Sequence, residues 1–212
     1  MNIVLLGPPG SGKSTGGNEI CKLCNLFHFY TGELLRERMK QTDDFAKHIK
    51  EIISSGGLLS DDVINNFVEE FIISNINKTE NNGILFDGYP RTVQQAIFLE
   101  KVLSANKQKL DKVLYFYSDD ETIVKRIVSR RIDKNTGNIY NLISNLPPPD
   151  VKLEDLYQRE DDKEDVILNR LKVYKEQSAA LINFYEECNL VSKIDSSKDL
   201  QDMFNDINEI LK

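Results

Sequence analysis

Nine residues near the start of the chain, Gly7-Pro8-Pro9-Gly10-Ser11-Gly12-Lys13-Ser14-Thr15, restrict the fold more than any other stretch. They satisfy Gly-x-x-x-x-Gly-Lys-Ser/Thr at every fixed position, through Gly7, Gly12, Lys13 and Ser14. Such a segment wraps its backbone around an anion and turns successive N–H groups inward. Lys13 adds a point charge, and the Ser14 hydroxyl can ligate Mg2+. The flanks meet the structural demand of the loop. Ile3-Val4-Leu5-Leu6 is an apolar run suited to a strand buried on both faces, and Lys13 to Cys24 is compatible with a helix.

Four further short runs read as strands: Phe27-His28-Phe29, Ile84-Leu85-Phe86, Val113-Leu114-Tyr115-Phe116 and Leu190-Val191-Ser192-Lys193-Ile194. Helical stretches separate most of them, which predicts crossover connections and a five-stranded parallel sheet in an α/β fold. Thr31 is placed to cap a helix over Glu33 to Met39. Ser60 with Asp61 and Asp62 is placed to cap Val63 to Ile76, and Asp119-Asp120-Glu121 puts acid at the start of Thr122 to Arg131. Gly56-Gly57 interrupts the helical pattern, so residues 31 to 76 form a helical excursion between the second and third strands. From Ile132 to Gln158 the chain is polar and rich in turn residues, with Asn135-Thr136-Gly137-Asn138 and Pro147-Pro148-Pro149. It is expected to lie outside the core as an irregular, lid-like segment.

The 212 residues suit one α/β domain with insertions. A net charge of −7 argues against a general nucleic-acid binder, whose footprint would be basic. No apolar stretch approaches the roughly 20 residues that cross a bilayer. No basic, apolar leader precedes the first strand, and three cysteines suit a reducing compartment. A cytoplasmic protein with no nucleic-acid or membrane partner is expected. Cys21-x-x-Cys24 lacks a second cysteine pair, with only His28 and His48 to assist, and reads as two small apolar side chains on one helix face.

An acidic chain that binds phosphates must concentrate its arginines locally. Those of interest are Arg36, Arg91, Arg126, Arg130, Arg131, Arg159 and Arg170. Arg126 and Arg130 stand four apart on the expected helix, with Ile123 and Ile127 offset toward the core; Arg159 and Arg170 are placed to share a helix face.

With these segments in order, the chain resembles the adenylate kinase family. The resemblance rests on residues 7–15, Thr31-Gly32-Glu33-Leu34-Leu35-Arg36, Gly57-Leu58-Leu59-Ser60-Asp61, Phe86-Asp87-Gly88-Tyr89-Pro90-Arg91-Thr92, Arg126-x-x-x-Arg130-Arg131, Gln158-Arg159-x-Asp161-Asp162 and Arg170-Leu171. It covers nearly the whole chain and is of the long-lid type. It implies a P-loop NTPase-type three-layer core at 1–29, 77–131 and 159–212, a nucleoside-monophosphate-binding region at 30–76 and a lid at 132–158. It implies that Gly10, Ser11, Gly12, Lys13, Ser14, Thr15, Arg126, Arg130, Ile139, Tyr140 and Lys198 hold the donor triphosphate. Thr31, Arg36, Gly57, Leu58, Leu59, Gly88, Arg91, Gln95, Arg159 and Arg170 would hold AMP. Lys13, Arg91, Arg130, Arg159 and Arg170 would be catalytic, and Ser14 and Asp87 would serve Mg2+, Asp87 through water. The implied reaction is reversible transfer from ATP to AMP giving two ADP, by a monomer.

Departures from the family pattern gather around the donor. Gly12-Lys13-Ser14-Thr15-Gly16 replaces Gly-Lys-Gly-Thr-Gln, and Glu33 replaces an Asp. Asp133 and Asn141 stand where relatives carry His, an aromatic is missing near Ser144, and Ser196 stands for a Gly. No lid cysteines occur, so no structural zinc is expected. GTP or another triphosphate as donor, and a nucleotide-binding protein with little turnover, stay open as alternatives.

Overall fold

The computed structural model describes residues 1–54, 59–75, 81–143, 145–158, 162 and 164–212, with the side chains of residues 36, 51–54 and 165 outside the description. The core is a parallel sheet of β1 (Ile3–Leu6), β2 (Phe27–Tyr30), β3 (Ile84–Asp87), β4 (Lys112–Tyr117) and β8 (Val191–Asp195), in the order β2-β3-β1-β4-β8. The five predicted strands are present, each shifted by at most a residue or two.

Alternation along each strand divides the core into two apolar layers. Ile3 and Leu5 face one cluster with Leu85, Leu114, Phe116 and Ile194; Val4 and Leu6 face another with Phe29, Ile84, Phe86 and Val113. The first layer is closed by α1 (Lys13–Cys24) and α8 (Leu200–Leu211) through Ile20, Met203 and Ile207. The second is closed by α4 (Asp61–Asn75), α5 (Val93–Ala105) and α7 (Glu164–Glu187), through Val68, Ile72, Ala96, Leu99, Leu181 and Tyr185. The result is the three-layer arrangement expected of a phosphate-loop protein. In the second layer Phe29 packs edge-on against Phe71 at 4.6 Å and, tilted, against Phe86 at 5.7 Å. Each such aromatic pair contributes about 1 kcal/mol beyond its buried area.

Between β2 and β3 run α2 (Thr31–Arg38), α3 (Asp44–Ser54) and α4. Thr31 does not cap α2: it is the first helical residue, and its Oγ1 donates to the Asp87 carbonyl at 3.1 Å instead. The helix α6 (Asp120–Val128) starts as expected, with Asp119 accepting from the Thr122 N–H, and buries Ile123 and Ile127. It ends sooner than predicted. Ser129 closes it, and Arg130 belongs to the next strand, so Arg126 and Arg130 do not stack on one helix.

Residues 130–157 are also more ordered than the sequence indicates. β5 (Arg130–Asp133), β6 (Ile139–Asn141) and β7 (Leu156–Tyr157) form a small antiparallel sheet in the order β6-β5-β7, with a 3-10 turn at Leu153–Asp155. The strands are two to four residues long, too short for periodicity to register.

Cys21 and Cys24 pack against the first apolar layer, as predicted, and all three cysteines are free. Burial pushes the Cys21 thiol up to about 12, whereas Cys188 is exposed. Thiol titration of the native protein at pH 8 is expected to label Cys188 rapidly and Cys21 only on unfolding. Equal labelling rates for the two would contradict this packing.

Candidate active site

β1 and β3 lie side by side, yet the connections leaving them run in opposite directions, toward β2 and across to β4. That divergence opens a crevice at their C-terminal ends. The phosphate loop and the Asp87–Arg91 segment both emerge there.

Gly12 caps α1 at φ +82 with no side-chain hydrogen bond, a helix start that leaves its first N–H groups for a ligand. Gly10, at φ +79, lies against α6, where a Cβ would come within 2.5 Å of Ile127 Cγ1. Any side chain there would lift the loop from its seat. Ser11 is fully buried and its Oγ has no hydrogen-bond partner, an orphaned polar atom inside the loop. Lys13 Nζ donates to the Gly7 and Pro8 carbonyls, the latter at 2.9 Å, which folds its chain back over the loop.

Three cations from separate segments meet at this point. Burial first, then the charges of Arg91 and Arg170, bring the Lys13 ammonium down to about 8 against the pull of Asp87. Burial and the Arg170 charge likewise lower the Arg91 guanidinium, against Tyr30 and Asp87. Lys13, Arg91 and Arg170 thus stand near enough for like charges to register on one another. Asp87, buried at the end of β3, is the carboxylate both Lys13 and Arg91 feel.

Asp87 Oδ2 accepts from Ser14 Oγ at 3.1 Å and lies 3.5 Å from His28 Nε2. A hydroxyl and a carboxylate in contact, beside the phosphate loop, fit a hard divalent cation that takes its other ligands from phosphate and water. Among the described residues no cluster of three or more His, Cys, Asp or Glu is placed to hold a metal.

On the β2 side, a Cβ at Gly88 would stand 3.5 Å from Thr31 Oγ1 and 3.6 Å from an Arg91 nitrogen, so these three residues border one small space. Arg91 Nε donates to the Gly88 carbonyl at 2.9 Å, and the Arg91 backbone N–H donates to Gln95 Oε1 at 2.7 Å. Tyr89 precedes a cis proline, and its hydroxyl is shared between the Gln95 carbonyl and Asn65 Oδ1. Arg36 lies in α2 and Leu59 packs against the second apolar layer. Gly57, Leu58 and Arg159 fall outside the described residues, as does Ser144.

The residues expected on the donor side are more dispersed. Arg126 donates to the Ser196 carbonyl at 2.6 Å, which joins α6 to the exit of β8. Arg130 forks onto the fully buried Asp162 through two nitrogens, with Nε at 2.9 Å. Ile139, half exposed, and Tyr140 lie on the small sheet opposite Ile132 and Arg131. Lys198 is ion-paired with Asp206 on α8 at 2.7 Å. The departures from the family pattern here serve local structure. Asp133 is buried and accepts from the Asn135 N–H and Thr136 Oγ1; Asn141 donates to the Arg126 carbonyl; Ser196 Oγ donates to the Tyr117 carbonyl.

Sequence reasoning passed over three residues that the structure brings into this region. The sequence offers His28 as a strand residue and possible metal helper, Asp162 only as a member of a family-like segment, and Asp61 as part of another such segment and of a helix cap. Each contacts a functional side chain that is far away in sequence.

The fold and this site define a P-loop phosphotransferase-type nucleotide-binding protein. The family model described as Adenylate kinase matches residues 5–190. The chain is 38% identical over 216 residues to an adenylate kinase of Thermosipho africanus, covering 100% of both chains. It is 39% identical over 216 residues to one of Methanothrix thermoacetophila, covering 100% of this chain and 98% of that one. It is 37% identical over 215 residues to one of Listeria innocua, covering 100% and 99%. The chain belongs to the adenylate kinase family, whose members are nucleoside monophosphate kinases.

Proposed function

We propose that this chain catalyses reversible, Mg2+-assisted phosphoryl transfer from ATP to AMP, giving two ADP. The convergence of Lys13, Arg91 and Arg170 on one crevice beside the phosphate loop is the observation that carries the reading. Two polyanions must be brought together, and their repulsion is the main obstacle. An AMP phosphate is already an anionic nucleophile near neutral pH, so no general base is required.

In this reading Gly10 to Thr15 cradle the donor phosphates, with Arg126, Arg130, Ile139, Tyr140 and Lys198 along the donor nucleotide. Thr31, Arg36, Gly57 to Leu59, Gly88, Arg91 and Gln95 hold AMP. Arg159 and Arg170 bridge the two phosphates, and bidentate arginine forks suit that geometry better than lysine. Ser14 Oγ and, through water, Asp87 would hold Mg2+, which when bound neutralises charge on the transferring phosphates. Residues 30–76 and 132–158 act as the acceptor region and the lid, and closure of both keeps water from the donor. A monomer in the cytoplasm is the form proposed.

ATP is taken as donor because the chain matches adenylate kinases along its length; the altered residues Asp133, Asn141 and Ser196 bond within the protein. A coupled assay of ADP formation over a panel of donors and acceptors tests this. Turnover is expected to be fastest with ATP and AMP and to vanish in excess chelator. Turnover with GTP but not ATP would reject the donor, and absence of turnover with every pair would favour a binding protein.

A further inference from the structure

The Gln95 amide sits in a clamp that fixes which end faces which way. Its Nε2 donates to Asp61 Oδ1 at 2.7 Å, and its Oε1 accepts from the Arg91 backbone N–H at 2.7 Å. Neither partner can exchange roles, because a carboxylate oxygen accepts and a backbone N–H donates. Turning the amide end for end would set acceptor against acceptor at Asp61 and donor against donor at Arg91.

Asp61 is itself held. Its Oδ2 accepts from Thr92 Oγ1 at 3.2 Å, and Thr92 Oγ1 in turn accepts from the Gln95 backbone N–H at 3.2 Å. Asp61, the first residue of α4, and Thr92 and Gln95 at the start of α5 thus close a ring of hydrogen bonds between two helices. Gln95 is only 6% exposed, so water competes little with this ring.

A carboxamide has two N–H donors and two acceptor lone pairs. The clamp uses one of each, which leaves one donor and one acceptor in a fixed order. We propose that Asp61, acting through Gln95, makes the acceptor site select a 6-aminopurine monophosphate over a 6-oxopurine monophosphate. Adenine presents a 6-amino donor beside the N1 acceptor, which complements the remaining edge. Hypoxanthine presents the O6 acceptor beside an N1–H donor and meets the same edge like against like. Asp61 is therefore a positioning residue for base recognition. This rests on the reading above that Gln95 faces the acceptor base.

The test compares kcat/KM for AMP and for IMP at saturating ATP in the parent, Asp61→Asn and Gln95→Ala proteins. The two acceptors differ only at the 6-substituent and the N1 proton. An Asn at position 61 can donate or accept by rotating its own amide, so Gln95 can turn at the loss of one contact. The AMP:IMP ratio is then expected to fall about tenfold, the equivalent of one mispaired buried hydrogen bond, with KM for AMP rising and KM for ATP unmoved. A ratio taken on one preparation cancels any loss of folded protein, and a purely structural role at the start of α4 would lower both values together. Asp61→Ser, which keeps a residue suited to a helix start, is the second variant, with the same expected fall. A fall of less than about threefold in both variants overturns the inference. If Gln95→Ala lowers the ratio while the Asp61 variants do not, the clamp alone is wrong. If Gln95→Ala leaves KM for AMP and the ratio unchanged, the base lies elsewhere, and the underlying reading fails with the clamp.

Discussion

Replacing Arg91 with alanine is expected to lower kcat by about a thousandfold while the thermal unfolding midpoint hardly moves. The guanidinium is held in place by the Gly88 carbonyl at 2.9 Å and faces the same crevice as Lys13 and Arg170. Burial and then its neighbour Arg170 favour loss of its charge, against Tyr30 and Asp87. Such an arrangement is unfavourable until an anion enters, and most favourable when charge spreads over the transferring phosphoryl group. Its removal therefore affects the transition state far more than the fold. The backbone N–H that fixes Gln95 is kept by the substitution, so KM for AMP should rise much less than kcat falls. Arg91→Lys should recover only part of the rate, because a point charge cannot make the forked contact. Near-parental turnover by the alanine variant would remove Arg91 from the chemistry. A large drop in unfolding temperature would instead make its role structural.

Such a prediction could be framed from the sequence because the segments carrying Lys13 and Arg91 are short and contiguous. The core was legible for a related reason. Ile3-Val4-Leu5-Leu6 and its counterparts are continuously apolar, and their buried, two-layered placement follows from strand alternation alone. The small antiparallel sheet was not legible, since Ile139–Asn141 and Leu156–Tyr157 draw their pairing from Arg130–Asp133 rather than from any pattern of their own. The early end of α6 is part of the same fact. Arg130 is drawn into β5 by its strand partner Asn141 and by the buried Asp162, contacts 11 and 32 residues away that no local propensity encodes. The Asp61–Gln95 contact is equally remote, at 34 residues, and joins helices that only the folded sheet brings side by side. Local signals thus located the phosphate loop and the arginines, while the side chains that orient them depended on tertiary packing.

Lys13 carries the second large effect, and its protonation gives that effect a pH signature. Lys13→Met is expected to reduce kcat/KM for ATP by at least about a hundredfold, since the loop would lose its only point charge on the donor phosphates. In the free protein, burial and the Arg91 and Arg170 charges bring the ammonium from 10.5 down to about 8. The unfolded chain therefore holds more protons than the folded one between roughly pH 8 and 10.5. This group's contribution to stability rises with pH across that window, and below it the penalty for burying the charge is fully present. A bound polyphosphate acts in the opposite direction, because it favours the ammonium and raises its pKa. Nucleotide binding at about pH 8.5 should then take up a proton, and affinity should weaken as pH rises beyond 8. Calorimetry of ATP binding in buffers of different ionisation enthalpy reads the proton directly. The uptake should be present in the parent protein and absent in Lys13→Met. Equal proton uptake by both would mean that another group titrates and that Lys13 is already charged before the phosphates arrive.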